Sequence, residues 1–264
     1  MKQRIISAII ALAIIIPLIV IGGYAYYIGV AIISIIGFHE IITVREKEKK
    51  INNNVKIMAL ISFLLIVLSG VTSGNDFNID YRLIIMDLFV CLLPLIIYSK
   101  KEYDAEDALV LVAITIFLGL SFKFLITIRN INVLYLVYVL SITVMSDTMA
   151  LFVGSKIGKN KLCPSISPNK TVEGMIGGVF FGTFVGTIFF TTFVNPNTNV
   201  LIIIIISLAL SLVSEFGDLV FSSIKRKYKV KDYGNIMPGH GGVLDRLDSI
   251  IFAILAFSYL VSFF

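Results

Sequence analysis

Two acidic pairs bracket a basic, glycine-rich stretch near the C-terminus, where residues 214–249 read SEFGDLVFSSIKRKYKVKDYGNIMPGHGGVLDRLDS. Glu215 and Asp218 lie at i and i+3 near the end of an apolar run, so a helix places them on one face. Asp245 and Asp248 repeat that spacing at the start of the last apolar run. Carboxylates at such depth are costly and face a cavity or a partner. Between the pairs, Lys225, Arg226, Lys227, Lys229 and Lys231 form a dense strip suited to phosphate. Gly239, Gly241 and Gly242 permit φ > 0 and close backbone approach, Pro238 stiffens the turn before them, and His240 can donate to a phosphate or transfer a proton. Mg²⁺ is held by one or two carboxylates together with substrate phosphates. The chemistry to which these residues point is therefore cation-assisted phosphate chemistry. Each part also has a plainer reading: a juxtamembrane basic run is a topology or anionic-lipid signal, a lone His is structural, and Asp248 could be a helix N-cap. The plain readings do not explain the combination, which falls within 36 residues.

A second polar stretch begins with Asp147, inside an apolar run, and continues through Gly154-Ser155, Gly158-Lys159 and Ser167-Pro168-Asn169-Lys170-Thr171-Val172-Glu173-Gly174. Thr171 is a good N-cap, and Glu173 suits the positive start of the helix that follows. A functional reading stands beside that one: Ser167, Lys170 and the helix N-terminus form an anion site. An acid inside an apolar run, as Asp147 is, is a functional candidate by default. His39 and Glu40, at the end of the second apolar run, read as cavity-facing or interfacial groups.

The elements that must position these residues are membrane helices. Of 264 residues, 58% are hydrophobic and only 15% charged, less charge than a soluble domain carries, and the apolar residues come in long blocks. A bilayer core needs about 20 apolar residues per helix, and helices satisfy their own backbone groups there. Nine spans are expected, at about 5–21, 24–44, 55–71, 82–98, 107–126, 133–153, 174–194, 199–221 and 249–264. This gives an all-α polytopic transmembrane bundle forming a single integral membrane domain. The first span is read as a retained helix rather than a signal peptide, because the next span follows at once across Gly22-Gly23. With the N-terminus in the cytoplasm, only Arg82, Lys123 and Arg129 of the 22 basic residues fall outside. This topology accounts for most of the net charge of +5. Cys91 and Cys163 sit in settings too different for a disulfide framework or a zinc site. The inner connections 154–173 and 222–248 are longer and richer than the outer ones, so chemistry is expected at the cytoplasmic face.

The run Ser222-x-Ile224-Lys225-Arg226, Lys231-Asp232-x-Gly234, Pro238-x-His240-Gly241-Gly242-Val243-x-Asp245-Arg246-Leu247-Asp248 resembles the signature of the phosphatidate cytidylyltransferases, or CDP-diacylglycerol synthases. Met237 stands where another apolar residue is usual. The stretch from Asp147 to Gly174 resembles the same family, with Asn169 replacing a Lys and Ser155 standing where an Arg is common. The resemblance implies that CTP and phosphatidate give CDP-diacylglycerol and pyrophosphate with Mg²⁺. It names Asp218 and Asp245 as first metal ligands and Asp248 and Glu215 as second choices. Lys225, Arg226 and His240 would act at the phosphates. Ser167, Lys170, Thr171, Ser222, Lys231, Gly241, Gly242 and Arg246 would line the substrates, with Asp147 and Glu173 in support. The family is associated with a paired cation site in which K⁺ is the second ion, which nothing in this sequence shows. Membrane lipids and a homodimer partner are compatible with it, nucleic acid is not, and a bacterial inner membrane is the expected location.

Two rivals differ in chemistry. A CTP-dependent lipid kinase would phosphorylate an alcohol and release CDP, but the full HGGVLDRLD run disfavours it. A transporter could use Asp147, Glu215 and Asp218 as an ion path, but it would favour internal repeats and midplane acids, and no repeat is visible.

Overall fold

The protein is described by a computed structural model covering residues 2–72, 77–99, 101–236 and 241–263, with backbone only for 2–8 and 262. Each of the nine apolar segments is helical in its described part. The helices are α1 (Lys2–Ile21), α2 (Gly23–Arg45), α3 (Asn53–Thr72), α4 (Tyr81–Leu92), α5 (Pro94–Ile97), α6 (Ala105–Ile131), α7 (Val133–Ile157), α8 (Val172–Phe189, running on as a π-turn, Phe190–Val194), α9 (Val200–Lys227) and α10 (Leu244–Leu260). Among the described residues, six helices are long and apolar enough to cross a membrane. The chain is an all-α polytopic membrane protein.

Three local features differ from the expectation. The segment 82–98 is broken into α4 and α5, because Pro94 has no N–H to continue the helix. Residues 154–173 are not irregular: strands β1 (Lys161–Cys163) and β2 (Ser167–Thr171) pair antiparallel as a small hairpin. The eighth span runs on to Lys227, so Lys225, Arg226 and Lys227 form the last helical turn, where cations suit the negative end of the macrodipole. Side-chain caps fix four of the starts. Asp80, Asn132, Thr171 and Asn199 each accept a backbone N–H from the first turn of α4, α7, α8 and α9 respectively.

The described chain divides into two compact units. The first holds Met1–Ile131 and Val230–Asp245. Within it α6 packs on α2, α3 and α4, and the rings of Phe38, Phe63 and Phe122 meet at 5.1 and 6.4 Å. Between α1 and α2, Gly22 turns at φ 68°, and a Cβ there would strike the Arg129 guanidinium. That side chain donates to the carbonyls of Ile19 and Val20 at the end of α1. Asp87, fully buried, accepts from Ser62 and Thr115 at 2.6 and 2.7 Å. At the other end of α6, Asp107 takes Arg45 at 2.7 Å and Lys49 at 2.6 Å, and Lys49 also pairs with Asp104. Lys49 draws the Asp104 carboxyl down to about 2.

The second unit holds Asn132–Lys229 and Arg246–Phe264. Its organising helix is α8, which presents Gly174, Gly178, Gly182 and Gly186 at every fourth position and so lets α7 and α9 approach closely. A Cβ at Gly178 would fall 2.7 Å from the Ser146 carbonyl, and one at Gly182 would fall 2.5 Å from Ser211 Oγ. The opposite side carries Ile176, Phe180, Phe184 and Ile188, all exposed and suited to lipid. A chain of hydroxyls follows the glycine stripe: Ser211 donates to Ser146, and Tyr138 bonds Ser207 at 2.7 Å.

The glycine stripe yields a direct expectation. Gly182→Val overpacks the α7–α8–α9 seam and should cost about 1–3 kcal/mol. Phe184→Leu on the lipid side should stay within about 0.5 kcal/mol. Thermal unfolding of the two variants in one detergent tests the contrast.

Candidate active site

Elementary electrostatics governs the C-terminal half of α9. Glu215 and Asp218, one turn apart, both face Lys170, the fourth residue of β2. The Lys170 ammonium lies 2.9 Å from Glu215 Oε2 and 2.8 Å from Asp218 Oδ2. Glu215 is almost fully enclosed, whereas about a quarter of Asp218 is open. Burial alone would make Lys170 easier to deprotonate, but the two carboxylates outweigh it and hold the ammonium charged well above the ordinary lysine value. Glu215 also accepts from Ser146, and Asp218 accepts from Ser222 one turn on. The glycine at 178 makes room for this arrangement, because a Cβ there would stand 2.8 Å from Glu215 Oε1.

Two further acids join the same unit. Asp147 accepts from Ser249 and lies within electrostatic reach of Glu215, Asp218 and Lys170. Asp248 accepts the Ser249 N–H and lies within reach of Asp218, Lys225 and Asp147. Gly217 permits the approach of α10, since a Cβ there would sit 2.9 Å from the Phe252 side chain and 3.0 Å from the Asp248 carbonyl. Four acids thus gather in one unit, and the ammonium groups of Lys170 and Lys225 lie within their reach.

The basic residues divide by setting. Lys225 is buried within α9. Arg226 Nε donates to the Ile166 carbonyl, in the turn between β1 and β2, and so ties the end of α9 to the hairpin. Lys231 is exposed in the connection that follows α9, and Arg246 is exposed in the first turns of α10. Ser167 opens β2, half-buried. Thr171 caps α8 through the Gly174 N–H, and Glu173 accepts from the backbone N–H groups of Lys159 and Asn160 and from the Asn160 amide. Glu173 therefore fastens the end of α7 to the start of α8.

In the first unit, the connection before α10 is held by two carboxylates. Asp245 Oδ2 accepts from Tyr233 N at 2.7 Å and from Gly242 N at 2.9 Å. Glu40 of α2 accepts from Val243 N and Leu244 N, each at 2.9 Å. The expectation for Glu40 is corrected here: it is buried, not interfacial, and is bound to backbone rather than facing a cavity. The only forewarning in the sequence is an acid within an apolar helix. Gly241 turns at φ 88°, and the Gly242 N–H is already taken by Asp245. His240, with Met237, Pro238 and Gly239, lies outside the described residues.

Among the described residues, no three His, Cys, Asp or Glu side chains close on a common point as a metal site would require. The donors nevertheless fit a hard divalent ion. They are carboxylate oxygens only. Asp147, Glu215, Asp218 and Asp248 outnumber the two ammonium groups named within their reach, Lys170 and Lys225, and such a set of acids suits a divalent cation. Lys170 already shows a cation seated between Glu215 and Asp218.

Comparison with known proteins adds the family. Residues 2–264 match the profile of the cytidylyltransferase family. Relatives named phosphatidate cytidylyltransferase occur in Staphylococcus haemolyticus (33% identical, covering 96% of each chain), in Staphylococcus aureus strain COL (34%, 96% of each) and in Bacillus subtilis strain 168 (33%, covering 100% of this chain and 98% of that one).

Removing the cation between an enclosed acid and a partly open one leaves their charge without its shared partner. Lys170→Met should destabilise the protein by about 3 kcal/mol. Adding Glu215→Gln to Lys170→Met should recover part of that loss. Unfolding midpoints of the single and double variants measure both effects.

Proposed function

Because the chain belongs to the cytidylyltransferase family, we propose that it transfers CMP from CTP to phosphatidate, forming CDP-diacylglycerol and releasing pyrophosphate. A phosphate oxygen of phosphatidate attacks the α-phosphorus of CTP in line. The new P–O bond forms as the bond from the α-phosphorus to the bridging oxygen breaks, and that oxygen leaves with pyrophosphate. The lipid phosphate is already largely ionised near neutral pH, so no general base is obligatory. The work of the protein is to position groups and to answer charge.

The observation that carries this reading is the Lys170 ammonium held between Glu215 and Asp218 at the inner end of α9, next to the basic last turn of that helix. Asp218, with Asp248 and Glu215, would hold Mg²⁺, and Asp245 is a further ligand on the resemblance alone. When bound, the ion would neutralise charge on the transferring and leaving phosphates, with K⁺ the second ion that the resemblance names. Lys225 and Arg226 hold phosphate oxygens, the guanidinium being suited to paired contacts. Lys170 and Ser167 contribute from β2, and the resemblance adds Lys231, Gly241, Gly242 and Arg246 as substrate-lining residues. The acyl chains remain in the bilayer throughout.

In the same reading, the single membrane domain makes nine spans with a cytoplasmic N-terminus, in a bacterial plasma membrane, and the reaction faces the cytoplasm. The asymmetry of basic residues supports that orientation. The two cysteines of the chain can test it, because Cys163 is half-exposed in β1 and Cys91 is fully buried. A membrane-impermeant maleimide should label Cys163 in inside-out vesicles and leave it unlabelled in right-side-out vesicles. The reverse pattern would invert the topology.

The reaction itself is tested with CTP labelled at the α-phosphate. Purified protein with phosphatidate and Mg²⁺ should place the label in the lipid and release unlabelled pyrophosphate. Asp218→Asn should abolish both while the protein still inserts. Label appearing only in CDP would instead indicate a lipid kinase.

A further inference from the structure

Glu40 lies in α2, about two hundred residues before the motif that suggested the chemistry, yet it holds the backbone of that motif. Its two carboxylate oxygens each accept one N–H, Oε1 from Val243 and Oε2 from Leu244, both at 2.9 Å. The side chain is 3% exposed. Glycines stand on both arms of the connection where this carboxylate passes. A Cβ at Gly234 would fall 2.5 Å from Glu40 Oε1, and one at Gly242 would fall 2.4 Å from it. At Gly242 the three nearest atoms to that Cβ all belong to the Glu40 carboxylate. Gly242 is not among the positive-φ residues, so there the glycine meets a requirement for space.

The next residue along is Asp245, whose Oδ2 accepts from Gly242 N and Tyr233 N. Three successive N–H groups, those of Gly242, Val243 and Leu244, are thus taken by two carboxylates. These groups start α10, where they would otherwise be left for water or an anion. Glu40 holds the N–H groups of Val243 and Leu244, and Asp245 holds that of Gly242.

We propose that Glu40 is a positioning residue for cytidylyl transfer: its carboxylate clamps the backbone of Val243 and Leu244 and so sets where Asp245 stands. This rests on the function proposed above. Both Glu40 oxygens are committed to backbone N–H groups, so it acts through the loop. The two glycines are its counterparts, small so that the clamp can close. Interactions that orient a reacting group commonly change activity 10–100-fold, so kcat should fall by about that factor when the clamp is lost, with KM for CTP moving less than about threefold.

The test uses the full chain in detergent–lipid micelles with Glu40→Gln, Glu40→Ala, Gly242→Ala and the double variant Glu40→Ala/Gly242→Ala. Glu40→Gln keeps the size of the side chain but leaves one acceptor oxygen, so it guards against simple loss of folding. The expected results are a lowered kcat with little change in KM for Glu40→Gln, faster amide exchange at Val243 and Leu244, and a Gly242→Ala defect smaller in the Glu40→Ala background than in the wild type. Unchanged kcat in Glu40→Gln and Glu40→Ala would overturn the proposal. So would equal Gly242→Ala defects, read as unfolding midpoints, in both backgrounds. Should the wild type yield no CDP-diacylglycerol, the proposed reaction fails. Exchange at Val243 and Leu244 and the coupling between Glu40 and Gly242 in unfolding midpoints would then still decide whether the clamp exists.

Discussion

A carboxylate withdrawn from water must be answered where it stands, and the described structure can be understood as a set of such answers. Asp87 is met by two hydroxyls, Asp107 by an arginine and a lysine, and Glu215 and Asp218 by one shared lysine. Glu40 and Asp245 are met by backbone N–H groups. The cost of an unanswered charge in apolar surroundings is several kcal/mol, comparable to the whole stability of a domain. Each pairing therefore fixes two pieces of chain at once. Lys170 draws β2 to α9, and Glu40 draws the start of α10 to α2.

The two uses of acid differ in what they leave open. Glu40 is enclosed and its acceptors are committed, so it serves to hold. Asp218 keeps about a quarter of its surface open and shares its cation with Glu215. A lysine on a short strand is a movable counter-charge, since its flexible stem can redirect the ammonium toward an incoming phosphate. In the proposed reaction the lysine that steadies the cluster turns to the nucleotide, and the acids it leaves take the cation. Hydroxyls complete the support: Ser146 and Ser211 steady Glu215 from α7 and α9 across the α8 glycines.

Much of this was legible in the sequence, because the relevant physics is local there. Long apolar blocks, Glu215 and Asp218 at i and i+3, and Thr171 ahead of Glu173 and Gly174 all carry their meaning within a few residues. What was not legible depends on distant partners. The continuation of α9 through Lys227 comes from a helix end able to accept cations, which reads from sequence as the start of a basic loop. The β1–β2 hairpin is too short to show alternation. The position of Lys170 between two acids 45 and 48 residues away is a tertiary fact. Glu40 was the plainest shortfall: a single acid in an apolar helix announces that something is answered, but not that the answer is the backbone of residues 243 and 244.

The sequence separation of that last pairing, 203 and 204 residues, has a consequence for biosynthesis. Ribosomes deliver α2 to the membrane long before Val243 and Leu244 exist. Through most of translation Glu40 must wait without its donors, at the water interface or carrying a proton, and the early helices assemble around an incomplete joint. The joint closes only once the final segment has emerged, so a chain released early would insert and pack most of its helices yet never lock the segment that leads into α10.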